Sequence, residues 1–454
     1  MRRTRRLPEG RSAAAIGLLA SLAIFAALGW TTASCSRHDY VLGTFEPRDA
    51  APEAADLRAE ADADAGDAAL VDGSPLPIVC ATTPCAIALT TTMRSDSYDR
   101  AEGYCALLDD GTVACWGTNL GGQLGSGDPG VLDSQVGVRV PGLSGVVSID
   151  HTCAVDDSGA AWCWGTGPFL QDEASTSTIE ASPVRLPLPG AVEKIAVTPA
   201  TACALLRDGS VVCWGANRSL QVAMDEPSRL SLPLRAIDIP AGVKDLVMGD
   251  AVFARYADGR VLSWGANPPI GRPTPFAPDG WPAPLALDRV AMLDSIDEQA
   301  CAVTQGIGWC WGAAVPSSLL VRSDDPSARA LPAAVATLEP ITRIATSRTW
   351  IVRDDGSSRV EQRRWCATAV TGAVDCWGLN DNGQAGDGTK AYALEAVRVA
   401  GLPAPAADVK VMPHSTCALL TNGKVFCWGN NFYGQLGAGM PKGSSVVPME
   451  VRLP

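Results

Sequence analysis

Histidine is nearly absent from this chain, with three in 454 residues, at His38, His151 and His414. The sequence contains no G-x-S-x-G, no H-E-x-x-H and no cysteine set at zinc spacing, which removes the commonest hydrolase and metal signatures. Basic residues are short as well: 36 Lys and Arg face 49 Asp and Glu, for a net charge of −13. Residues 80–454 alone carry −10 and show no basic stripe. Phosphate contacts need Lys and Arg, so recognition of nucleic acid is excluded, as is electrostatic adhesion to an anionic leaflet. Apart from residues 13–29, no apolar run is long enough to approach a bilayer span.

What the chain does have is a repeated hairpin. Residues 105–117 read C-A-L-L-D-D-G-T-V-A-C-W-G, an apolar run, a turn and a second run closing on Trp-Gly. Copies follow at 153–165, 203–215, 253–265, 301–312, 366–378 and 417–429, seven in all. Their tryptophans, Trp116, Trp164, Trp214, Trp264, Trp311, Trp377 and Trp428, are spaced by 48, 50, 50, 47, 66 and 51 residues. A strand-built period near ~50 predicts an all-β, seven-bladed β-propeller over 80–454, since one blade cannot bury its own apolar faces.

Six copies carry two cysteines, ten residues apart in five and nine apart in the fifth copy. A three-residue loop at Asp109, Asp110 and Gly111 sets Cys105 opposite Cys115. In the shorter copy, a two-residue loop at Gln305 and Gly306 restores the pairing of Cys301 with Cys310. Cross-strand neighbours in this register meet the separation a disulfide needs. Cys153–Cys163, Cys203–Cys213, Cys366–Cys376 and Cys417–Cys427 follow by the same rule. The fourth copy has lost both cysteines, to Phe253 and Ser263, and joint loss is what bonded pairs predict. The alternative is twelve small buried hydrophobes in a reducing compartment. Cys80 and Cys85 precede the first copy and are expected to close a small loop of their own; a metal site there would need further ligands, which are missing nearby.

The first eleven residues hold five arginines and precede the apolar run, the profile of a signal peptide and therefore of an exported chain. The run ends in Thr32-Ala33-Ser34-Cys35, which resembles the bacterial lipobox with Thr32 where Leu is usual. Lipidation of Cys35 is the leading expectation; cleavage after Ala33 or Ser34, or an uncleaved anchor, are the alternatives. Residues 36–79, with ten acidic residues and three arginines, are expected to be a disordered tether.

Glycine-rich tails follow several Trp-Gly pairs: N-L-G-G-Q-L-G at 119–125, N-D-N-G-Q-A-G at 380–386 and N-F-Y-G-Q-L-G at 431–437. They open no predicted helix and lack a P-loop Lys, so tight turns are expected rather than a phosphate cradle. The run 87–91 has no partner upstream. Pairing it with 446–453 in one blade would close the ring.

The combination H-x-C-A-L…D-G-x-V-x-C-W-G-x-N-x-x-G-Q-L-G, best seen at 105–125 and 414–437, resembles the repeat of the regulator-of-chromosome-condensation family. The resemblance extends over 80–454, with blades two, four and five eroded, and it implies a seven-bladed β-propeller. That family includes a nuclear exchange factor for a small GTPase and a secreted bacterial inhibitor of β-lactamases. Both activities reside in loops outside the repeat, so neither transfers.

His151 and His414 occupy the position before the hairpin and are expected to bond at blade ends. Asp109–Asp110, Asp156–Asp157 and Asp354–Asp355 fall in turns, where Asp bonds the backbone. Trp162, Trp281, Trp309, Trp350 and Trp365 lie outside the Trp-Gly position. The 66-residue interval contains an insertion at 346–365, expected to be an extra hairpin on blade six. Within it, Arg353, Arg359, Arg363 and Arg364 with Trp350 and Trp365 form the expected partner-binding element, because Arg and Trp dominate interface hot spots. The alternative is a solvated loop. The sequence thus points to a monomeric, exported cell-envelope binding or scaffold protein with no cofactor, no resident metal and no catalytic residues. Its partner is expected to be a protein or a glycan. The rival is an envelope hydrolase or lyase at the channel mouth, which would need convergent unpaired carboxylates or histidines.

Overall fold

The computed structural model describes residues 73–92, 102–169, 178–312, 331–352 and 358–454, with only the backbone course given in 228–230, 348–352 and 358–363. Residues 1–72, which include Cys35, the signal segment and most of the expected tether, lie outside the described residues. Among the described residues, twenty-eight strands form seven four-stranded antiparallel sheets, and in every sheet the strand order follows the chain. The blades span 86–139, 146–185, 192–237, 243–284, 290–334, 341–398 and 406–450. Among the described residues there is no helix. The protein is a seven-bladed β-propeller.

The first strand of each blade lines the central channel, and Ala86–Thr91 touches both Val146–Asp150 and Ala406–Val411, so the ring is closed. Second and third strands, such as Gly103–Leu108 and Val113–Thr118, are buried along their whole length. A neighbouring blade covers each face, which is why C-A-L-L and V-A-C-W-G read as continuous apolar runs rather than alternating ones. The core lies between blades: Cys105, Leu107, Val113 and Cys115 of blade one pack against Val146, Ala154 and Trp164 of blade two.

The hairpin register is the expected one. Cys105 pairs with Cys115 and Cys301 with Cys310, and the equivalent pairs lie opposite each other in the other four copies. All six are disulfides with Cα atoms 4.0–4.1 Å apart, and Cys80–Cys85 is a seventh. In blade four, Phe253 faces Ser263 in the same register. The Phe253 ring fills the vacated volume and meets Trp311 edge-on at 5.8 Å.

The glycine-rich tails do lock blades together. The indole of Trp116 donates to the Gln435 carbonyl, Trp164 to Gln123, Trp264 to Gln221 and Trp428 to Gln384, at 2.8–3.0 Å. Each carbonyl belongs to the third-to-outer turn of the preceding blade. The turn must approach the ring closely: a Cβ on Gly437 would lie 2.8 Å from Trp116, and one on Gly125 would lie 2.9 Å from Trp164. Trp377 has no indole partner among the described residues; residues 313–330, between the third and outer strands of blade five, lie outside them.

Ring closure differs from expectation. Ala86–Thr91 pairs with Gly103–Leu108 in blade one, and Ser444–Glu450 pairs with Val425–Asn430 in blade seven, so no blade mixes the two ends. Side chains and short backbone contacts bridge the seam instead. Buried Glu102 accepts from the His414 N–H at 2.7 Å and from the Ser415 hydroxyl at 2.6 Å. The Tyr104 hydroxyl lies 3.0 Å from Ser415 Oγ, and Gly137 N–H donates to the Arg452 carbonyl at 2.9 Å. A buried network plus the Trp116 lock does the work expected of a shared sheet.

Candidate binding face

In an antiparallel sheet whose strand order follows the chain, the inner-to-second and third-to-outer ends lie on one face of the ring and the hairpin turn on the other. On the turn face, Asp110 accepts from the Thr112 N–H at 3.0 Å, and Asp208 does the same for Ser210 at 2.9 Å. Hydrogen bonds from Thr112 and Ser210 hold these carboxyls below the ordinary carboxylate range. Asp110 and Asp156, which accepts from the Ala160 N–H at 2.9 Å, shape turns as the sequence suggested, and Asp208 does the same; Asp354 and Asp355 lie outside the described residues.

On the loop face, blade six stands apart. Its inner and second strands, Ile341–Val352 and Ser358–Ala369, have 12 residues each, where the corresponding strands of blade one have 6. The ladder continues to Val352 opposite Ser358, so the insertion is an extension of the hairpin beyond the sheet. Arg353 and the side chains of Trp350, Arg359 and Arg363 lie outside the described residues.

Arg364 and Trp365 require correction. Both are buried, at 1% and 2% exposure, and neither reaches a partner surface. Arg364 donates to the carbonyls of Met412, Ser415 and Gln384 at 2.6–2.7 Å and to the Thr416 hydroxyl, tying blade six to blade seven. Burial brings its guanidinium down to about 10, opposed by the nearby Tyr104 and Glu102. Register explains the error. Arg364 lies opposite Gly378 as Gly103 lies opposite Gly117 and Thr201 opposite Gly215, so it occupies a repeat position and the insertion ends at 363.

The channel holds a cavity of about 170 Å³ lined by Asp150, His151, Lys194, Asp245, Asp294 and Lys410, among others. Each of its carboxylates has a neighbour. Asp150 accepts from the Val197 N–H at 3.1 Å and Asp294 from the Thr346 N–H at 2.8 Å, each reaching the next blade. Asp245 pairs with Lys194 and Arg255, and Asp408, at the equivalent position of blade seven, with Lys410 and Arg343. Burial pushes Asp294 up, while Lys410 is raised by Asp408 and Asp294 against its own burial. His151 Nδ1 lies 3.0 Å from Thr91 Oγ1. These contacts stitch inner strands together across neighbouring blades.

The other non-repeat tryptophans separate clearly. Trp162 donates to Asp156 and Trp309 to Thr304, both partly buried. Trp281, one of the tryptophans that the sequence sets outside the Trp-Gly position, is 61% exposed on the loop face. Cys80 and Cys85 lie near Asp109, but their sulfurs are bonded to each other and offer no thiolate to a metal.

Comparison with known proteins agrees with the geometry. The sequence model of the regulator of chromosome condensation (RCC1) repeat matches residues 192–221 and 414–435. The second segment is one of those singled out above; the first lies in blade three. Similar solved structures include human WBSCR16, at 18% identity over 76% of this chain and 94% of that one, with a TM-score of 0.60. Yeast RCC1 (Prp20), solved bound to Kap60, is 18% identical over 74% of this chain and 83% of its own, with a TM-score of 0.59. Prp20p from Saccharomyces cerevisiae, described with its binding to Gsp1p and histones, matches at 18% over 76% and 87%, with a TM-score of 0.57. At this identity the likeness establishes the fold.

Proposed function

We propose that this RCC1-repeat propeller is an exported, non-catalytic binding or scaffold protein of the cell envelope, held by a lipid on Cys35 and acting through its loop face. The observation that carries the reading is the blade-six ladder, which projects past the sheet where blades two, three, four, five and seven turn back. Two-stranded extensions of this kind present side chains without disturbing the scaffold that carries them. Trp350, Arg353, Arg359 and Arg363 are the proposed contacts, suited to an acidic protein surface, with a glycan as the alternative ligand. Seven disulfides support an oxidising compartment. The engaged channel carboxylates and the binding behaviour of the yeast relatives support a non-enzymatic role.

Replacing 349–361 by Asn-Gly tests this while sparing Arg364 and Trp365. The variant should melt within about 3 °C of the parent, since shortening a loop changes closure entropy little. Its capture of the envelope partner should fall roughly tenfold or more, as expected on removing a hot-spot cluster. Undiminished capture would place the site elsewhere.

A further inference from the structure

The third-to-outer connection of blade four, G-R-P-T-P-F-A-P-D-G-W-P at 271–282, lacks the G-Q-L-G pattern and is built differently. At its base, Arg272 and Asp279 form an ion pair at 2.8 Å with both side chains buried, at 8% and 5% exposure. Burial of an ion pair is poor stabilisation in itself, because desolvation offsets the attraction. Here it fixes backbone. Arg272 donates to the Trp281 carbonyl at 2.7 Å, and Asp279 accepts from the Trp281 N–H at 3.1 Å. Thr274, itself bonded to Asp279, accepts from the Phe276 N–H at 3.2 Å, and Asn267 donates to the Phe276 carbonyl at 2.9 Å. Pro273, Pro275, Pro278 and Pro282 remove further freedom.

The two residues held in this way face water. Phe276 is 59% exposed and Trp281 is 61% exposed. Large aromatics on pinned backbone lose little entropy when a partner covers them, which is the property of a preorganised anchor. Their surroundings set the ligand's charge. The loop packs on the blade-three turn, where a Cβ on Gly280 would lie 2.9 Å from Met224 Cα. Asp225 and Glu226 are exposed and directly follow Met224 in that turn. Arg272 is committed to Asp279; Arg218 opens that turn and Arg229 follows it in the outer strand.

We infer that Phe276 and Trp281, with Asp225 and Glu226 of the blade-three turn, form a docking platform for an extended peptide segment bearing Lys or Arg. A cation over the indole face, with carboxylates beside it, is favoured by the ring quadrupole and by simple charge attraction. The inference rests on the loop-face binding reading but uses a different blade from the hairpin, and its ligand has the opposite charge.

The test is fluorescence anisotropy of full-length protein with a labelled octapeptide of alternating Lys and Gly, and with its Glu–Gly counterpart. The Lys peptide should bind and the Glu peptide should not. Trp281→Ala, which removes no charge, should weaken binding roughly tenfold without moving the melting temperature. Asp225→Asn with Glu226→Gln should weaken it severalfold and remove most of the salt dependence. Binding of the Lys peptide unchanged by Trp281→Ala, or binding of cellohexaose in place of the Lys peptide, would overturn the inference. The hairpin-replacement variant should keep peptide binding. If it alone loses the peptide, the platform is wrong and the face reading stands; if neither variant loses the envelope partner, the face reading itself fails.

Discussion

Reducing the disulfides should lower the melting temperature on the order of 15–20 °C, the largest effect expected of any single treatment. Each hairpin disulfide closes a loop of nine or ten residues. Loop-closure entropy assigns each about 2.5–3 kcal/mol. The six lie in different blades, so their contributions should nearly add. In a domain of this size one kcal/mol moves the midpoint by about 1–1.5 °C, by extension of the per-residue unfolding entropy. Calorimetry with and without a strong reductant measures the difference. Blade four supplies an internal control, because Phe253 and Ser263 hold its hairpin without a bond. A shift of less than a few degrees would mean that burial alone staples the blades.

Replacing Arg364 with alanine should destabilise the propeller by about 4 kcal/mol, or about 5 °C. The change leaves three buried carbonyls and the Thr416 hydroxyl short of a donor and opens a cavity at the blade six–seven seam. Arg364→Lys should recover only part of the loss, since one ammonium cannot span acceptors that a planar guanidinium reaches together. Denaturant titration of the two variants separates this from a surface role. A stable Arg364→Ala variant with weakened partner capture would restore the arginine to the binding site.

The blades were legible because their signals are local. Trp-Gly spacing, D-G turns and paired cysteines all act within one hairpin, and the fourth copy's joint loss of cysteine exposes the pairing by its absence. Ring closure was not legible. The run beginning at Ile87 finds its partner downstream, across 92–102, while the seam rests on Glu102, Tyr104 and Ser415, which come together only in the fold. The end of the blade-six insertion was misjudged because composition grouped Arg363, Arg364 and Trp365 together. Counting back from Cys366 against Cys105 or Cys203 would have placed Arg364 at a repeat position. The blade-four platform was half legible. Trp281 stands outside the Trp-Gly pattern in the sequence, while the reach from Asn267 to Phe276 and the Arg272–Asp279 pair that fix its loop come together only in the fold.

The central claim, that one face of the propeller binds and the other does not, is tested most directly by photo-crosslinking amino acids placed singly at exposed positions on both faces. Phe276 and Phe432 report on the loop face, and Asp208 and Ile307 on the turn face. In intact cells the loop-face positions should yield the same crosslinked partner, and the turn-face positions none above background. Equal yields from both faces, or yields from Asp208 and Ile307 alone, would contradict the account.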